Sequence, residues 1–145
     1  MPMPYRRTCW VLLMTLSIAS LVGCATTELD RRYVLYFTPF EVETFAALTT
    51  SNIETDANCT LVHPNGKQLH EQLLALWRSG TPATITQSHI RLKLVAPHGT
   101  SIIVDQAGVI HVSDQPHDRQ MPVAQRPPLG RQLRALAKSS GCKFA

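Results

Sequence analysis

From residue 88 onward the hydrophobic pattern takes a period of two, and this constrains the fold more than any other feature of the chain. His89-Ile90-Arg91-Leu92-Lys93-Leu94 alternates polar and apolar residues. On a strand that puts Ile90, Leu92 and Leu94 on one buried face and leaves the other face wet. Pro97-His98-Gly99 then turns the chain. Ser101-Ile102-Ile103-Val104 and Val109-Ile110-His111-Val112 flank Asp105-Gln106-Ala107-Gly108, a turn with Asp first and Gly last. The pattern predicts a three-stranded antiparallel meander over about 88–113.

Helical spacing surrounds this meander. Tyr33-Val34-Leu35-Tyr36-Phe37 reads as a strand by its β-branched and aromatic content. Thr38-Pro39-Phe40-Glu41 has the form of a capping box with Pro at the first helical position, which predicts a helix over 39–49. The next segment leaves room for a short strand around 59–63. Asn65-Gly66-Lys67-Gln68 offers a second cap, and Leu69, Leu73, Leu76 and Trp77 follow at helical spacing until Gly80 and Pro82. Residues 116–128 hold four prolines and few apolar side chains, and read as a strap. Leu129, Leu133, Leu136 and Ala137 mark a last amphipathic helix ending at Gly141. No internal repeat is visible. The expected fold is α+β, a small three-stranded sheet with two to three amphipathic helices on one face.

The start of the chain has a different character. Arg6 and Arg7 precede residues 9–22, an uncharged apolar run. As a helix this run covers about 21 Å, short of the roughly 20 residues that span a bilayer core. A basic flank, a short apolar core and a small residue before a cut describe a signal peptide. Leu21-Val22-Gly23-Cys24 closes the segment and resembles the lipobox of bacterial lipoproteins at all four positions. That resemblance covers the leader and none of the mature domain. It implies that residues 1–23 are removed, that Cys24 carries a diacylglyceryl group, and that two or three acyl chains hold the protein on a membrane. Ala25, where an Asp would favour inner-membrane retention, implies the outer membrane, facing the periplasm. Residues 24–32 are then a tether and 33–145 a single domain.

Four cysteines are present: Cys9, Cys24, Cys59 and Cys142. The leader takes Cys9 and lipid takes Cys24. In an oxidising compartment the two that remain, Cys59 and Cys142, are expected to pair. No Cys-x-x-Cys spacing argues for a metal instead.

Charge is unevenly spread. The net charge of +4 falls to +2 once Arg6 and Arg7 are gone, with 12 basic and 10 acidic side chains left. That is too small an excess to argue for nucleic acid. Residues 119–145, however, contain Arg119, Arg126, Arg131, Arg134, Lys138 and Lys143 and no acid. On a helix Arg131, Arg134 and Lys138 share one arc opposite the leucines. They are either a solvated face or a contact for an acidic protein or anionic envelope surface.

Catalytic patterns are sparse. His111, Asp114, His117 and Asp118 form the densest group of metal-ligand types, but they fall at a strand end and in a loop, where side chains do not automatically converge. No Gly-x-Ser-x-Gly elbow or phosphate-binding glycine loop occurs, and Ser139-Ser140-Gly141 suits a helix end. The expectation is therefore a protein with no catalytic residues, no metal and no cofactor: a binding or accessory lipoprotein of the cell envelope. An immunity or inhibitor lipoprotein that blocks a toxin or hydrolase is the alternative. A hydrolase or metal protein built on the histidine cluster ranks third.

Overall fold

The computed structural model describes residues 32–42, 46–63 and 66–142. The expected signal segment, Cys24, the tether up to residue 31 and Lys143 lie outside the described residues. Seven strands form one antiparallel sheet, β1 (Tyr33–Phe37), β2 (Cys59–His63), β3 (Thr81–Ala83), β4 (Ile90–Val95), β5 (Ser101–Asp105), β6 (Val109–Val112) and β7 (Asp118–Gln120), in the order β2-β1-β4-β5-β6-β7-β3. This overturns the expected three-stranded sheet. The segments β4, β5 and β6 are the middle of a wider sheet, completed by pairings between residues distant in sequence. Val34 pairs with both Val62 and Val95, and Pro82 pairs with Arg119. Strand β7 lies within the stretch expected to be a strap.

Helices α2 (Gly66–Arg78) and α3 (Arg126–Ser139) supply Leu69, Leu73, Leu129, Leu133 and Ala137 to the main core. From the sheet that core takes Leu35, Phe37, Leu92, Leu94, Ile102, Val104, Ile110 and Val112. Each fully buried Leu, Ile, Phe or Val contributes roughly 1.5–3 kcal/mol. The helices are not confined to one face. A single helical turn, α1 (Ile53–Asp56), meets β1 and β4. Its Ile53 belongs to a second cluster with Ile85, Ile90, Ile103 and Val109, and Tyr36 packs against it. Tyr36 and Ile103 alternate with Leu35, Phe37, Ile102 and Val104 along their strands, so this second cluster lies on the reverse of the sheet.

The β4 alternation is broken by a register shift between Ile90 and Leu92. A bulge of this kind changes which side chains face which way. Ile90 joins the second cluster while Leu92 and Leu94 stay in the first. Arg91, expected to be wet, is 5% exposed. Its guanidinium donates to Val42 O at 2.8 Å and to Gln106 Oε1 at 3.1 Å, and burial lowers its pKa.

No helix forms among the described residues of 39–49. The Thr38 hydroxyl, expected to cap one, is instead buried against the start of β2. It donates to Asn58 Oδ1 at 2.8 Å and accepts from Asn58 N at 3.2 Å, while Thr38 N donates to Arg91 O at 2.8 Å. These long-range bonds occupy the groups that a local cap would need.

Candidate functional site

The outer face of α3 is the first candidate. Leu129, Leu133 and Ala137 turn inward, and Arg131, Arg134 and Lys138 are exposed. The three cations are not equivalent. Arg134 Nη2 lies 2.7 Å from Glu41 Oε1, with both side chains 57% exposed. Glu41 was expected to close a capping box, but the chain turns there instead of coiling. Its carboxylate is thereby free to reach α3. Partial burial would raise the Glu41 pKa, but a backbone hydrogen bond and the hydrogen bond and charge of Arg134 outweigh it, leaving the pKa lowered. Arg131 and Lys138 have no ion-pair partner among the described residues.

Two other cations of the basic run hold the fold together. Arg119 donates to Arg78 O and Gly80 O at 3.2 Å each, and stacks on Trp77 with its guanidinium carbon 5.2 Å from the ring centre. Arg126 donates to Ala107 O at 2.9 Å. Beside α3 lies a groove of about 420 Å³, lined by Gln68, Leu69, Gln132 and Leu136 among others, and Gln72 Nε2 donates to Gln132 Oε1 at 2.9 Å between the two helices.

The histidine cluster is only partly assembled. His111 Nδ1 is 2.8 Å from Asp118 Oδ1, and Asp118 Oδ2 accepts from Ile85 N at 2.9 Å. His117 is exposed, and its carbonyl accepts from Trp77 Nε1 at 3.1 Å. Among the described residues no three His, Cys, Asp or Glu side chains come together as metal ligands. A cleft of about 470 Å³ opens beside Asp118, between Pro82, Ala83 and Thr84 on one side and Pro116 and His117 on the other. Asp118 can orient the His111 ring, but no serine, threonine or cysteine side chain is hydrogen-bonded to that ring among the described residues.

His70, on α2, drew no attention from its local pattern. Its ring is tilted against Tyr33 with centroids 5.7 Å apart, and its Nε2 is buried with no hydrogen-bond partner among the described residues. Burial lowers its pKa from the ordinary 6.5, and the charges of Asp114 and Glu71 offset only part of that. The folded state therefore favours neutral His70. The resulting stability is complete above the unfolded pKa and is lost as pH falls from there through the lowered pKa of the folded state. We expect the melting temperature to fall on acidification from about pH 7 to about pH 5. His70→Phe, which keeps an aromatic ring and removes the titration, should flatten that slope. An unchanged acid slope in the variant would contradict the assignment.

Cys59, at the start of β2, is bonded to Cys142, just past α3, with Cα atoms 5.7 Å apart and a sequence separation of 83. Compared with family models, curated proteins and solved structures, the chain finds no match in any of the three.

Proposed function

We propose that this chain is a small lipid-anchored protein of the bacterial cell envelope that acts by binding rather than by catalysis. The observation that carries the reading is Leu21-Val22-Gly23-Cys24 behind Arg6, Arg7 and a short apolar run. Anchoring through Cys24, with Ala25 following it, gives an outer-membrane protein facing the periplasm. The Cys59–Cys142 bond supports an oxidising destination, since such bonds persist outside the cytosol. The outer face of α3 supports the binding half of the reading. Arg131 and Lys138 are exposed cations on a helix whose other side is packed into the core. An acidic protein surface is the partner that this face suits. Single exposed ion pairs are worth only about 0–1 kcal/mol, so the contact needs several together and weakens with salt.

The test is metabolic labelling with an alkyne fatty acid in cells producing the full chain. The parent should take up label and sediment with membranes. Cys24→Ala should take up none and lose its membrane fraction. Equal labelling of the two would end the lipoprotein reading.

A further inference from the structure

Among the described residues, the reverse of the sheet is covered at one end only. Toward the far end of β1, Tyr36 packs against the second cluster, and α1 lies over it with Glu54 paired to Lys93. At the near end the described residues supply no such helix. There Val62, Val34 and Val95 stand directly opposite one another on β2, β1 and β4. By alternation with Leu61, Leu35 and Leu94 they lie on the reverse face. Val62 is 55% exposed, and Val34 and Val95 are half-buried. The row continues into Ser101, which exchanges hydrogen bonds with Ser113, without a charged side chain. One exposed valine means little. Three in register across adjacent strands, on the side of a sheet where solvent normally selects polar residues, form a small apolar surface.

The position of this row points to its occupant. Val34 is the second residue of β1, and Arg32, exposed, leads directly into that strand. Cys24 lies eight residues before Arg32. Even fully extended, that stretch reaches only about 30 Å. The uncovered end of the sheet is thus the end from which the chain runs to its anchor.

We propose that the Val62–Val34–Val95 row is the face on which the domain rests against the bilayer that holds its own lipid anchor. This inference rests on the lipoprotein reading above and adds an orientation to it. Helix α3 packs against the opposite face of the sheet, so Arg131 and Lys138 point away from the membrane. They are then presented to an acidic protein in the aqueous space, not to anionic headgroups.

The experiment uses the full, acylated chain in phosphatidylcholine vesicles whose acyl chains carry bromine, a contact quencher of tryptophan. Val62→Trp places a reporter in the row and Arg131→Trp places one on the outer face of α3. Both sites are exposed, so melting temperatures should match the parent. Bromolipid should remove roughly half or more of the emission added at position 62, as expected for a side chain at the headgroup–acyl boundary. It should leave the emission added at position 131 unchanged. Flotation of the vesicles reports the anchor separately. Flotation without quenching at position 62, or with equal quenching at both positions, overturns the orientation and leaves the anchor standing. Failure of the parent to float overturns the anchor, and the orientation with it.

Discussion

Removing the Cys59–Cys142 bond should lower the stability of the domain by about 2–5 kcal/mol, a large share of the total for a domain of this size. The two residues are 83 apart in sequence, and the chain-entropy model gives about 4–5 kcal/mol for closing a loop of that length. The bond also joins two elements far apart in sequence. Cys59 opens the edge strand β2, and Cys142 follows the last turn of α3, where its N–H donates to Ala137 O at 3.0 Å. Without the bond, the C-terminal half of the helix keeps the packing of Leu133, Leu136 and Ala137 and the Arg134–Glu41 pair but loses its covalent tie to the sheet. The measurement is denaturant unfolding of the parent, the parent under reductant, and the Cys59→Ala/Cys142→Ala pair. Cys59 is 2% exposed, so alanine there also loses packing. The reduced parent keeps both sulfurs and isolates the cross-link. Its midpoint should fall and its denaturant slope should rise, because an unlinked unfolded chain exposes more surface. A reduced parent as stable as the oxidised one would show that the bond constrains nothing.

Opposite effects are expected from alanine at two helical glycines. Gly66 begins α2 and is buried against β1. A Cβ built there would lie 2.1 Å from Tyr33 Cβ and 2.6 Å from Tyr33 Cγ. No rotamer of Tyr33 relieves a contact with its own Cβ, so α2 must move away from the sheet and loosen Leu69 and Leu73. Overpacking of this kind costs about 1–3 kcal/mol, and more where backbone has to shift. Gly130 sits inside α3, and a Cβ there would meet Glu41 Oε1 at 3.6 Å and Phe40 Cδ2 at 3.8 Å, both ordinary contacts. Gly130→Ala should therefore stabilise by about 0.5–1 kcal/mol through helix propensity and a less free unfolded chain. Thermal melts of the two variants beside the parent decide it. A Gly66→Ala variant that melts like the parent would refute the close approach of α2 to β1.

What could be read in the sequence depended on how local its cause was. The spacing of Leu69, Leu73, Leu76 and Trp77 is written into consecutive turns, and α2 stands over Gly66–Arg78. The width of the sheet is not local. Thr81-Pro82-Ala83 and Asp118-Arg119-Gln120 carry no apolar alternation; the second is a strand because it pairs with β6, and the first because it pairs with the second. Thr38 shows the same contest at one atom, since its hydroxyl could cap a local helix or bind Asn58 across the sheet. Arg91 shows it at one residue, because alternation gives its face correctly only if no bulge intervenes.

The candidate surfaces follow the same rule. The cationic arc of α3 is a matter of helical angle and was visible beforehand. The Glu41–Arg134 pair brings together two distant segments and left no signal in either. The valine row was equally hidden. Val34, Val62 and Val95 sit in three separate stretches, and only the register of β1 with β2 and β4 aligns them.

The strand order also sets a timetable. Strands β4, β5 and β6 are joined by short turns and can pair as soon as each is made. Strand β1 comes first in the chain yet lies between β2 and β4, and its pairing with β4 runs from Phe37–Leu92 to Val34–Val95. A chain emerging N-terminus first therefore exposes Tyr33-Val34-Leu35-Tyr36-Phe37 on one unpaired edge until residue 95 is out. Contacts of such high sequence separation form late and leave aggregation-prone strands waiting. For this molecule the vulnerable interval runs from the emergence of β1 to that of residue 95, and a holding chaperone that masks five residues would cover it.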